Sequence, residues 1–335
     1  MIELMRRRNL IAMLGLLPIA IPVTGRAQQG NRVRRIGYFT TATGAPDELL
    51  GILETRALVE GLRELGWADG RNIIIDHRFS GYGRERIRTS AKELVALKPD
   101  VILSVGGQRL AALLAETRTI PIVFTVVSDP VGSGFVPNLA HPGGNATGFS
   151  VSEAPIAGKC LELLKEIAPQ ITRVLVLALA DAPAQLVQRD AVATAAPALG
   201  VTLASTLVRE ITDYEREIAA FAGAPGGGLV VLSNAIAAAN RGRIHALAAQ
   251  LRLPAVYSYP IYAQSGGLIS YGADPVAQFH DAAGYIDKIL RGEKPGDLPV
   301  QQPARFLLVV NMKTARALGL TVPQSLLDRA DEVIE

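Results

Sequence analysis

The chain states one structural plan twice. In the first copy "RRIGYFT" reads as a strand, and "LETRALVEGLRELG" as a helix with Leu58, Leu62 and Leu65 on one face. "NIIIDHRF", "PDVILSV" and "IPIVFTVV" are further strands, separated by the helical stretches "RERIRTSAKELVALK" and "QRLAALLAETR". About 135 residues later the order returns as "RVLVLAL", "RDAVATAAPALG", "VTLASTL", "DYEREIAAFAG", "GLVVLSN", "RGRIHALAAQLR" and "LPAVYSY". Strands of unbroken Val, Ile and Leu that alternate with helices predict a parallel sheet covered on both faces. Two copies therefore predict two similar doubly wound α/β lobes.

The segments outside the repeat set the connections. "PGGNATGFS" joins the copies and reads as a first crossing. "GGLISYGAD" leads into "PVAQFHDAAGYIDKILRGEKP", a helix with Val276, Phe279, Ala283, Ile286 and Leu290 on one stripe. That strand and helix have no counterpart in the first copy, and a return to the first lobe explains them. "ARFLLVVNMKTARALGL" then supplies a last strand and short helix by crossing again. Three crossings predict one lobe from 33–147 plus 273–297 and another from 148–272 plus 298–335, with a cleft between them.

The first 27 residues read as an export signal. Arg6-Arg7-Arg8 precede an uncharged stretch, and small residues stand at −3 and −1 of "GRA", which ends at Ala27. "RRNLI" loosely matches a twin-arginine signal. The alternative, a retained anchor, needs about 20 apolar residues, and here Pro18 and Pro22 interrupt a shorter run. Removing these residues takes away four arginines and one glutamate, so the remainder carries 30 basic and 30 acidic side chains. A chain so balanced has no basic footprint for nucleic acid. The lone Cys160 lies at helical spacing from Leu164 and Ile167, where a free thiol packs as a small apolar group.

Ligands of open parallel sheets bind beyond the carboxyl ends of the strands. The first lobe offers Thr40, Thr41, Gly106, Gly107, Gln108, Ser128 and Asp129 there, and the second offers Asp181, Ser233, Asn234, Tyr257, Tyr259, Tyr271 and Asp274. Gly106-Gly107 either lets backbone N–H groups approach an anionic group or makes a close packing turn. Asp129 and Asp274, each before a proline, either answer a ligand ammonium or cap a turn or helix. The tyrosines either stack on an aromatic or cationic ligand or fill a core.

Reactive chemistry is missing from the pattern. The four histidines have no metal-ligand spacing, and no G-x-S-x-G elbow occurs. No dinucleotide fingerprint or phosphate loop follows any strand, and "GAPGGG" precedes a strand rather than opening a helix. The expectation is a non-enzyme without cofactor or metal, which captures a molecule and closes over it.

"LRELGWADGRNIIIDHRF", "SDPVGSGFVPNLAHPGGNATG", "GGLISYGAD" and "VVNMKTARALGL" together resemble the ABC transporter substrate-binding protein family, which includes tryptophan- and tyrosine-binding members. The resemblance spans nearly the whole chain after the export signal. It implies a type I periplasmic-binding-protein fold and a small ligand, an aromatic or other amino acid, delivered to an ABC permease and its ATPase subunit. It also implies ligand contacts at the "SVGGQ" turn, at Ser128-Asp129 and at the Tyr271–Asp274 turn. Gln108 departs from relatives, which often carry Thr or another small polar residue there. With no cysteine at the signal boundary to take a lipid, a freely diffusing periplasmic monomer is expected. A rival within the same fold is a ligand sensor that signals to a regulatory partner.

Overall fold

A computed structural model describes residues 32–41, 49–81, 83–151, 154–180, 182–232, 234–303 and 305–335. The expected export signal, Asp181 and Ser233 lie outside these residues. Val33–Glu335 form one compact unit, and two sheets divide it internally.

The first sheet grows from β1 (Arg34–Thr40), α1 (Leu49–Glu64), β2 (Ile73–Phe79), α2 (Arg84–Ala96), β3 (Val101–Val105), α3 (Gly107–Glu116), β4 (Ile122–Val127) and β5 (Ala146–Ser150). After α4 (Ala154–Ile167) the second copy runs β6 (Arg173–Leu179), α5 (Pro183–Ala195), β7 (Thr202–Val208), α6 (Ile211–Phe221), β8 (Gly227–Val231), α7 (Ala235–Ala239), α8 (Arg241–Gln250), β9 (Ala255–Tyr257), α9 (Pro260–Gln264) and β10 (Ile269–Ala273). The chain ends with α10 (Pro275–Leu290), β11 (Phe306–Asn311), α11 (Met312–Ala317), α12 (Gln324–Leu327) and β12 (Glu332–Ile334).

The sheet orders are β2-β1-β3-β4-β5 and β12-β11-β10-β9-β8-β6-β7. Reversed, the second contains β7-β6-β8-β9-β10, which matches the first strand for strand. This corrects two expectations. "NATGFS" is not only a crossing, because Ala146–Ser150 form a fully buried fifth strand parallel to β4. β10 does have a counterpart, namely β5. The lobe boundary expected between residues 147 and 148 falls inside β5. The second sheet is also not purely parallel, since β11 runs antiparallel to β10 before β12 rejoins it in parallel.

Each fifth strand passes the chain to the other lobe. β5 leads to α4, whose Leu161, Leu164 and Ile167 pack with Val174, Val230 and Ile269 of the second sheet. β10 leads to α10, whose Phe279, Ala283 and Ile286 pack with Leu58 and Leu62 of α1 against Ile36 and Leu103 of the first sheet. Strand alternation sends the remaining residues to the opposite faces. Phe39, Ile102 and Phe124 meet α2 and α3, while Leu175, Leu177 and Val231 meet α6 and α8. Each such buried side chain contributes about 1.5–3 kcal/mol relative to exposure, so the four faces carry the fold.

The third crossing is laced to the first. Gln301 N–H donates to the Gly148 carbonyl at 2.8 Å, and Ser150 N–H donates to the Gln301 carbonyl at 2.9 Å. Thr147 Oγ1 donates to the Leu298 carbonyl at 2.6 Å, and Gln301 Nε2 donates to the Tyr285 hydroxyl at 2.8 Å. Among the described residues no helix is long and apolar enough to cross a membrane.

Candidate ligand site

The end of β4 reaches the core of the second sheet. Val126, near the end of β4, packs against both the α1/α10 core of the first lobe and the α6/α8 core of the second. Its φ of +56° is rare for a β-branched residue and accompanies a register shift between Phe124 and Val127. Gln278 on α10 holds this backbone. Its Oε1 accepts from the Val126 N–H at 3.2 Å, and its Nε2 donates to the Ser150 carbonyl at 2.6 Å.

Beside this junction lies a buried carboxyl. On α1 the inward stripe runs Glu54, Leu58, Gly61, Leu62, so a glutamate stands where the period calls for an apolar residue. Glu54 is 6% exposed. Burial pushes its carboxyl up to about 8, the Arg109 guanidinium opposes the shift, and the Asp274 carboxylate adds to it. Among the described residues it has no hydrogen-bond or ion-pair partner.

Groups from both lobes surround it. Tyr38 on β1 is fully buried, and its hydroxyl accepts from Thr55 Oγ1 at 3.4 Å. Burial raises the Tyr38 hydroxyl strongly, the Glu54 charge raises it further, and Thr55 and Thr40 oppose. Tyr259, ahead of α9 in the second lobe, is raised by burial and then by Glu54. Arg109, 3% exposed, bridges the tips from the far face of the first sheet. Its Nε donates to Ser80 Oγ at 3.0 Å, Nη1 to the Val105 carbonyl at 3.1 Å and Nη2 to the Gly81 carbonyl at 2.8 Å. The Thr125 hydroxyl, at the tip of β4, is fully buried with no partner among the described residues.

A buried carboxyl within electrostatic reach of the Tyr38 and Tyr259 hydroxyls suits a small solute that carries positive charge. A hollow of about 710 Å³ runs along α10, lined among others by Phe149, Asp274, Gln278, Tyr285, Gln301 and Arg305, so Asp274 and Gln278 border it as well.

The model of the ABC transporter substrate binding protein family matches residues 51–334, which is most of the chain. This chain belongs to that family. A tyrosine-binding protein of Clostridioides difficile (strain R20291) is 25% identical over 271 residues, covering 79% of this chain and 76% of that protein. The ABC domain from Streptococcus pneumoniae in complex with L-Trp shares the fold at a TM-score of 0.82 and 24% identity, covering 90% of this chain and 99% of that one. The ligand-free, open structure of a Clostridium difficile substrate binding protein with adhesive properties superposes at 0.65 with 25% identity, over 90% and 99% of the chains.

The substrate-binding protein brings only part of the expected set together. Tyr259 and Asp274 lie within electrostatic reach of Glu54, Thr40 hydrogen-bonds the Tyr38 hydroxyl, and the Gly106 N–H donates to the Thr125 carbonyl at 2.9 Å. Gly106 takes φ +81°, a value open to glycine, and Gly107 then opens α3. Gln108 is exposed, and Thr41 and Ser128 are half-buried at the rim.

Others have local duties. Asp129, exposed, caps its own turn, its Oδ1 accepting from the Gly132 N–H at 2.8 Å. Asp274 caps α10 through the Val276 N–H at 2.9 Å. Asn234 caps α7, accepting from the Ala237 N–H at 2.9 Å while donating to the Tyr214 hydroxyl at 2.7 Å. Tyr257 turns away from the gap, because β9 alternation puts it in the second-lobe core, stacked on Tyr262 at 5.0 Å with His245 edge-on. Tyr271 lies against Phe306 and the α4 core.

Glu54, Arg109, Tyr38, Thr125 and Gln278 were missing from the expectation. Two left a trace in the sequence, since Glu54 interrupts the stripe of Leu58 and Leu62, and Arg109 adjoins that of Leu110 and Leu113.

Proposed function

We propose that this substrate-binding protein captures an amino acid in the gap between its lobes and hands it to an ABC permease powered by an ATPase subunit. On this reading it is an exported, periplasmic monomer that turns over no substrate. The family membership carries the proposal, and the tyrosine-binding relative supports an amino acid as cargo.

Capture by closure needs contacts that only the closed form makes. About 5.5 kcal/mol of differential affinity takes a 1:99 equilibrium to 99:1. Tyr259, ahead of α9 in the second lobe and within electrostatic reach of Glu54 of the first, is a group of that kind. On this reading the chain changes lobe after β5, after β10 and after α10, and Gln278 of α10 hydrogen-bonds the backbone of Val126 and Ser150 between them.

A thermal-shift screen of the twenty L-amino acids tests the reading. A ligand that binds the folded state alone raises stability by about 2.7 kcal/mol at one hundred times its Kd, a rise of several degrees. A melting temperature unmoved by every amino acid contradicts the proposal.

A further inference from the structure

The geometry points to Glu54 as the residue that selects the cargo: it accepts the ammonium group of the ligand between the lobes. This rests on the amino-acid reading above and names the chemistry by which that reading is achieved.

Four observations converge on Glu54. It occupies an inward position of α1 with 6% exposure, and the described residues give its carboxyl no hydrogen-bond or ion-pair partner. A buried carboxyl left in that state is costly unless a partner arrives. Charged and polar groups lie within its electrostatic reach, Tyr38 of β1, Arg109 of α3 and Asp274 ahead of α10 in the first lobe and Tyr259 ahead of α9 in the second. A second buried group, the Thr125 hydroxyl, also lacks a partner among the described residues. Strand alternation puts it on the sheet face that carries α1, two residues beyond Val123 of the same core as Tyr38.

The charged neighbours do not satisfy Glu54 themselves. Arg109 donates to Ser80, Gly81 and Val105 at 2.8–3.1 Å, and Asp274 repels a carboxylate while capping α10. An entering ammonium brings three donors and a positive charge to a site with one carboxyl, one carboxylate and the Thr125 hydroxyl, unpartnered among the described residues. Its arrival favours the ionised form of Glu54, so binding a cationic ligand near neutral pH releases a proton.

The test compares the full protein with Glu54→Gln, which keeps shape and removes charge. Calorimetry with L-tyrosine, L-tryptophan, L-leucine, tyramine and 3-(4-hydroxyphenyl)propionate reads each affinity, and thermal unfolding checks that the variant folds. The expected result is a loss of about 30-fold or more for the ammonium-bearing ligands, with a far smaller change for the deaminated acid. Proton release, read in buffers of different ionisation enthalpy, should vanish in the variant. Equal binding of an amino acid by both proteins overturns the inference and leaves the amino-acid reading standing. If tyramine binds, no amino acid does, and Glu54→Gln loses tyramine, the inference stands and the amino-acid reading falls. If no ammonium-bearing ligand binds the unmodified protein, both fall.

Discussion

Gln278 grips Val126: its side-chain oxygen accepts the Val126 N–H at 3.2 Å while its amide nitrogen donates to the Ser150 carbonyl at 2.6 Å. One side chain thus spans the last residues of β4 and β5 from the helix that arrives from the other lobe. It holds a valine at φ +56°, a conformation that costs about 1–3 kcal/mol unless its surroundings impose it. Gln278→Leu should cost about 2–4 kcal/mol, because two buried backbone groups lose their partners while the volume is kept. Urea unfolding measures this. A loss below about 0.5 kcal/mol would show that Val126 is held by other means.

The repeat leaves a matched pair of glycines. A Cβ on Gly148 of β5 would collide with the Phe124 backbone of β4, and a Cβ on Gly272 of β10 would collide with the Ser258 carbonyl just beyond β9. Gly148→Ala and Gly272→Ala should each destabilise by more than about 2 kcal/mol, since backbone and not a flexible side chain must give way. Gly284→Ala, in the interior of α10 with open space around it, should instead stabilise by about 0.5–1 kcal/mol. Thermal unfolding of the three variants separates close approach from general glycine preference.

Glu54 makes stability depend on pH with a definite sign. Its folded-state carboxyl is raised from 4.5 to about 8, so between those values the native state holds a proton that the unfolded chain has released. Stability therefore falls as pH rises through that window. Glu54→Gln should be about 2–4 kcal/mol more stable than the unmodified protein at pH 8.5, with the gap closing near pH 4.5. Chemical unfolding at the two pH values is the check, and a pH-independent difference would contradict it.

His245 has the opposite behaviour. Burial lowers its imidazole from 6.5 to about 4, against the opposing Ser265 carbonyl contact at 3.3 Å, with Arg241 adding to the lowering. The unfolded state then binds the proton first, so stability is present above pH 6.5 and is lost as pH falls through 4. His245→Asn should flatten that acid limb by about 2–3 kcal/mol, whatever its effect at pH 8. An unchanged limb in urea titrations at pH 4 and 7 would assign the loss to other groups.

The architecture was legible because its signal is local. "VILSV" and "GLVVL" are apolar on both faces and can lie only in a covered sheet, and the repeat then sets the lobes. β5 was not legible, because "ATGFS" is short, follows Gly-Gly-Asn and owes its place to the close approach of Gly148 to Phe124. For Tyr257 gap and core both stayed open in the sequence, because a three-residue strand gives too little alternation to choose, and the fold puts it in the core. Glu54 stayed hidden for another reason. On α1 it is one charge beside Thr55 and Arg56, and only the fold brings Asp274, 220 positions away, within electrostatic reach of it. Asp129, by contrast, was prominent in sequence and serves its own turn.

The most direct test of the account is a crystal structure of the protein grown with the amino acid that raises its melting temperature most. The prediction is electron density for that molecule between the two sets of strand tips, with its ammonium within hydrogen-bond distance of the Glu54 carboxylate and the Tyr259 side of the second lobe closed over it. Density in the α10 hollow against Tyr285 and Arg305, or an amino acid bound between the tips with its ammonium facing away from Glu54, would contradict it.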